Sequence, residues 1–280
     1  MEILAAVLTS LLGLGGAPGF VIDKTATDLL RGQLFYAEQL EVRVDNTPNF
    51  QILQGRVDRI RVAGRGVYPL PILRIQAIDL ETDPISINPA TLQSGNLELL
   101  EPAQAAVRVV VTDTDLTNLL RSPIVTNSFQ GLRIELPGSN GGAEIFDLIN
   151  PEVKFLGGDR IRVTTIAKPR PLPQQPSQSP NQLSKQVTEP LAIAAETGIR
   201  IVGGTRIELS APRIDLQGVS IPDQITNRFI QGLNRIGDLR QLEAKGITAR
   251  VLKFEVTSGQ LQLIGFASMK STKTIQSSSP

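Results

Sequence analysis

The strict alternation of apolar and charged residues governs what this chain can fold into. In Leu40-Glu41-Val42-Arg43-Val44-Asp45 and in Arg59-Ile60-Arg61-Val62 every second side chain is aliphatic and its neighbours are charged. Only an extended strand sorts a period of two onto two faces, one to be covered and one wet. Further alternating positions occur at Ile85 and Ile87, at Val107, Val109 and Val111, and at Leu132, Ile134 and Leu136, so short strands recur along the chain. Gly157-Gly158 precedes Asp159-Arg160-Ile161-Arg162-Val163, and Gly203-Gly204 precedes Thr205-Arg206-Ile207-Glu208-Leu209; a Gly-Gly pair flanked by alternating residues predicts a hairpin tip. Ser94-Gly95-Asn96-Leu97-Glu98-Leu99 is echoed by Ser258-Gly259-Gln260-Leu261-Gln262-Leu263, which hints at a duplicated architecture. Ser258-Gly259 also joins Leu252–Val256 to Leu261–Leu263 in a closing hairpin, with the regular fold ending near Met269.

The period changes in three places. From Asp23, Ala26, Leu29, Leu30 and Leu34 recur at helical spacing with Lys24, Asp28 and Arg31 between them. Thr112-Asp113-Thr114-Asp115 offers an N-cap before Leu116, Leu119 and Leu120, and Pro123 ends that helix after about two turns. The third helix has Pro222 and Asp223 in its first turn and a stripe of Ile225, Phe229, Ile230, Leu233 and Ile236. Residues 1–22 form an apolar segment broken by glycines and Pro18, which reads as a membrane-docking segment, a signal peptide lacking its basic start, or a buried helix. Residues 23–268 then form a single α+β domain, interrupted by a Pro-rich stretch at 169–184 expected to be a mobile loop, and 269–280 form a polar tail expected to be disordered.

Composition removes most catalytic chemistry, since the chain has no Cys and no His and so lacks thiolate nucleophiles, imidazole bases and the usual zinc ligands. No catalytic residue, metal or cofactor is expected. The 28 Lys plus Arg balance 27 Asp plus Glu, and there is no Trp, so neither a global field nor stacking platforms invite nucleic acid. Asp113-Thr114-Asp115 has the spacing of a metal-binding Asp-x-Asp pair, but at a helix start carboxylates cap free N–H groups. Arg56, Arg59, Arg61 and Arg65 make a local basic patch in which Arg59 and Arg61 point the same way, a candidate contact for phosphate head groups or an ordinary solvated strand face.

The runs Leu40–Asp45, Leu53-Gln54-Gly55-Arg56-Val57, Gly64-Arg65-Gly66, Leu80-Glu81-Thr82-Asp83-Pro84-Ile85 and Val111–Leu116 together resemble the LmeA-like phospholipid-binding family, in its cyanobacterial branch, over roughly residues 22–267. The resemblance implies a non-catalytic cell-envelope protein that holds phospholipid or a similar amphiphile at a membrane surface. The fold expected is α+β, with curved, mostly antiparallel sheets wrapping one or two amphipathic helices around an apolar groove or tunnel. Its apolar wall would be Ile225, Phe229, Ile230 and Leu233 with Leu116, Leu119 and Leu120, and its head-group contacts Arg59 and Arg61. The rival reading is a structural or interaction protein of the envelope that assists a membrane-associated enzyme through a protein partner.

Overall fold

Charged and apolar residues separate by face along 40–45 and 59–62, whereas Ala77 and Val110 are buried on the face that carries Asp79 and Arg108. The computed structural model describes residues 19–93, 98–134, 144–170, 189–217, 219–220 and 238–271. The apolar segment before residue 19, the Pro-rich stretch beyond Arg170, the expected helix with Ile225, Phe229, Ile230 and Leu233, and the tail beyond Ser271 lie outside the described residues. Helix α1 (Gly19–Gly32) leads into β1 (Tyr36–Asp45), β2 (Arg56–Val57), β3 (Arg59–Leu70), β4 (Leu73–Thr82), β5 (Ile85–Ser86) and β6 (Ala103–Thr112). Helix α2 (Asp113–Arg121) is followed by β7 (Leu132–Ile134), β8 (Glu144–Gly157), β9 (Arg160–Pro169), β10 (Leu191–Val202), β11 (Arg206–Leu216) and β12 (Val219–Ser220), and β13 (Ile247–Thr257) and β14 (Gln260–Met269) close the fold. Two six-stranded antiparallel sheets result, ordered β1-β3-β4-β6-β14-β13 and β12-β11-β10-β9-β8-β7, beside a small β2-β5 ladder.

Both edges of the first sheet are covered. At β1 the helix α1 lies alongside, and its side chains take the N–H groups that an edge strand leaves unpaired: Val44 N–H donates to Asp23 Oδ1 at 2.7 Å and Val42 N–H to Thr27 Oγ1 at 3.0 Å. Ala26, with Leu29 and Leu30 beside it, then seals a core of Val42, Val44, Ile60, Ile52, Ile85, Ile87 and Leu99. Gly55 makes this core possible, because at φ +79° its carbonyl accepts from Ile87 N–H at 2.8 Å and a Cβ there would stand 2.2 Å from Ile87 O.

At the other edge, β13 receives the two Gly-Gly hairpin tips of the second sheet. Val251 N–H donates to Gly204 O at 2.7 Å and Val256 N–H to Asp159 Oδ1 at 3.0 Å. The tips that the sequence marks as turns are thus also the joint between sheets. The closing hairpin β13–β14 turns at Ser258-Gly259 and ends at Met269, as expected. Sequence periodicity passes over β4 as a strand, although Ile78-Asp79-Leu80-Glu81 carries the same alternation, and of β8 and β10 it marks only the hairpin tips at which they end.

Candidate functional site

Register builds one apolar face across the first sheet. Leu80 of β4 stands opposite Val62 of β3 and Val107 of β6, Ile78 opposite Gly64 and Val109, and on β14 Leu263 pairs Val109 while Leu261 pairs Val111. Gly64 lets this face close up locally, since a Cβ there would meet Val67 Cγ2 at 2.6 Å and Ile78 Cγ2 at 2.9 Å. Towards α1 the face is sealed, but Ile78, Leu80, Val107, Val109, Leu261 and Leu263 are only half-buried. The second sheet repeats the arrangement, with Ile161, Val163, Ile193 and Ile214 also half-buried on the face that carries Phe146 and Phe155. The two apolar faces run into one another where Val153 and Phe155 of β8 meet Val256 of β13.

Helix α2 spans that meeting point. Thr112 caps it, as the sequence suggests, in a reciprocal box with Asp115: Asp115 N–H donates to Thr112 Oγ1 at 3.1 Å and Thr112 N–H to Asp115 Oδ2 at 3.0 Å. Asp115 is 3% exposed and also accepts from Arg74 Nη1 at 3.0 Å. This carboxylate therefore serves the helix start and an ion pair. Burial works against the charge on Arg74, but its hydrogen bonds to Asp115 and Glu38 outweigh that and raise its pKa above the ordinary value. Thr117 Oγ1 accepts from Val153 N–H at 2.9 Å, and Arg121 Nε donates to Pro151 O at 2.9 Å. Fixed in this way between β4 and β8, α2 packs Leu116 and Leu120 against Val153, Phe155 and Val256, and Leu119 is half-buried.

Arg59 and Arg61 do point the same way, on the face opposite Ile60 and Val62. Arg59 Nη1 lies 3.2 Å from Glu81 Oε1, and Arg61 Nη2 lies 2.8 Å from Asp45 Oδ2. The charged face continues with Asp79, 2.8 Å from both Arg65 and Arg108. Burial alone would raise the Asp79 pKa, but the hydrogen bonds from Arg65 and Arg108 hold it below the usual carboxylate range. On the second sheet Glu196, paired with Arg162 at 2.8 Å and with Arg160, is likewise lowered, chiefly by the Arg162 hydrogen bond. The structure therefore brings Leu116 and Leu120 to the apolar faces and puts Arg59 and Arg61 on the other side of the sheet. In the sequence Val107, Val109 and Val111 mark a strand but not a site. Nothing in the sequence marks Ile78, Leu80 and Ile193 as companions of that strand, because their partners are fixed only by register.

Two depressions border these faces. One of ≈ 720 Å³ lies on the second sheet, where the polar side chains of Asn150, Glu152, Thr164 and Asp215 surround Ile166 and Ile193. The other, of ≈ 220 Å³, lies where β10 meets β13 beside Ile199, Ile201 and Phe254. Among the described residues no helix is long and apolar enough to cross a membrane.

Comparison with known proteins adds one finding. The family model described as LmeA-like phospholipid-binding matches residues 14–266. No curated protein and no solved structure matches the chain.

Proposed function

The chain belongs to the LmeA-like phospholipid-binding family, and from that premise we propose that it holds phospholipid or a similar amphiphile reversibly, without covalent chemistry, at a membrane surface of the cell envelope. Acyl chains lie in a groove along the apolar faces of the two sheets. The observation that carries this reading is the row Ile78, Leu80, Val107, Val109 and Leu263, apolar throughout yet half-buried. Apolar surface left wet costs about 25 cal/mol per Å², so a face this uniform gains from an occupant that removes it from water. Binding needs no specific polar contact along the chains, and aliphatic side chains suffice to hold a flexible acyl tail.

Leu116, Leu119 and Leu120 form the end wall where the two faces meet. Ile225, Phe229, Ile230 and Leu233 belong to the same proposal on their sequence alone, as further apolar wall. Arg59 and Arg61, outward-facing and ion-paired, enter as contacts to head groups of the membrane surface rather than of the bound lipid.

Native mass spectrometry and solvent extraction of the full chain purified from membrane-containing cells test the proposal. The expected result is co-purifying phospholipid that denaturation releases. A chain that carries no lipid, and takes up none from phospholipid micelles, would leave the scaffold reading in its place.

A further inference from the structure

The chain has two tyrosines, and both stand at one corner of the first sheet. Tyr36 opens β1 and pairs with Tyr68 of β3, their rings 5.8 Å apart and tilted by 55°. Phe35 precedes them, its N–H bonded to Tyr68 O at 2.9 Å, and the β3–β4 hairpin turns just beyond, through Leu70, Pro71 and Ile72. This apolar corner is displayed to solvent: Phe35 is 66% exposed, Tyr36 54% and Leu70 55%. Neither 32–37 nor 66–73 contains a charged residue. Four adjacent features together single out this corner from the scattered apolar residues that any surface carries.

We infer that this corner inserts into the interfacial region of a lipid bilayer. A hairpin entering a bilayer must bury its backbone donors, and Pro69 and Pro71 have no N–H to bury. Tyrosine places an apolar ring among acyl chains and its hydroxyl among head groups, which suits a membrane interface better than a dry protein contact. The corner is also continuous with the proposed lipid site. Ala37 and Val67, next in sequence to Tyr36 and Tyr68, pack with Ile78 and Val62, which belong to the apolar face. Just behind the corner Arg74 joins Glu38 at 3.0 Å and Asp115 at 3.0 Å, so the hairpin is braced against α2. Resting on the phospholipid reading, the inference makes this corner the place where lipid passes between bilayer and apolar face.

Because the chain has no Trp, Leu70→Trp supplies a sole indole at the corner, and Phe50→Trp supplies one in a second exposed position beyond the opposite end of β1. Each full-length variant is mixed with phosphatidylcholine–phosphatidylglycerol vesicles, plain or brominated on the acyl chains. The expected result is a blue shift for Leu70→Trp with severalfold quenching by brominated vesicles, and a wet, unquenched indole for Phe50→Trp. Unshifted emission from Leu70→Trp, or equal quenching of the two variants, would overturn the inference. Loading of phospholipid from detergent micelles is measured on the same samples. Normal loading with a wet indole at the corner removes the docking site and keeps lipid holding, whereas a blue shift without loading does the reverse.

Discussion

The flank of the first sheet under α1 and the middle of the same sheet are written in one alternation and end in opposite states. Val42, Val44 and Ile60 alternate with charged residues, and Ile78, Leu80 and Val107 alternate with Asp79, Glu81 and Arg108 and with the alanines Ala77 and Ala106. The first set is closed off by Ala26, Ile52, Ile85, Ile87 and Leu99, the last four at most 2% exposed, whereas the second stays half-buried. Alternation decides which face is apolar. Whether that face is covered depends on what the rest of the chain lays against it, and this separates a core from the surface proposed to bind lipid.

Substitution within the sealed flank should have the largest effect. Leu99→Ala removes a fully buried side chain from the core cluster under α1 and should cost about 2–5 kcal/mol, read as a fall in melting temperature or denaturant midpoint. A loss below about 1 kcal/mol would erase the distinction between flank and middle. Arg74→Met comes next. It leaves Asp115 buried without its counter-charge, and removing one partner of such a pair costs about 3–5 kcal/mol when both are buried, less here because Arg74 is 23% exposed. Equilibrium unfolding of this variant against Asp115→Asn/Arg74→Met, in which the orphan charge is gone, should show the double variant recovering part of the loss.

The middle should respond in the opposite way. Val109→Trp and Leu263→Trp add bulk without charge, and in a packed core overfilling would cost about 1–3 kcal/mol. On a face kept open for an acyl chain the cost should stay below about 1 kcal/mol while bound phospholipid falls severalfold. Melting temperature and lipid content are to be measured on the same preparation. A sharp drop in stability with lipid content unchanged would make the middle ordinary core.

Much of the fold was legible because it is local. Thr112 and Asp115 cap α2 through groups three residues apart, and the Gly-Gly pairs make tight turns wherever they stand. The site was less legible because it is assembled from register. That Val109 faces Ile78 on one side and Leu263 on the other follows from pairings more than thirty and one hundred and fifty residues apart along the chain. The outer faces show the same limit: Arg59 and Arg61 read as a basic patch until β1 and β4 bring Asp45 and Glu81 beside them.

The smallest expected effect is on the charged side of that comparison. Asp79 has a lowered folded pKa, so its contribution to stability is present above its unfolded value near 3.8 and is lost as pH falls through the folded value. Asp79→Asn should therefore flatten the acid limb of stability below about pH 4 and change little at pH 7 beyond a few tenths of a kcal/mol, as exposed pairs allow. Denaturant midpoints between pH 7 and pH 2 check this, and an unchanged acid limb would show that Arg65 and Arg108 gain nothing from the carboxylate.

The most direct measurement needs no substitution. Phospholipid bearing a photoreactive diazirine on its acyl chain is loaded onto the wild-type protein, irradiated, and the adducts mapped by peptide mass spectrometry. Binding along the open face predicts adducts on Ile78, Leu80, Val107, Val109 and Leu263 and few on the outward side chains Arg61, Asp79 and Arg108. Adducts confined to the outward face, or spread without preference between the two, would contradict the assignment of this face as the lipid site.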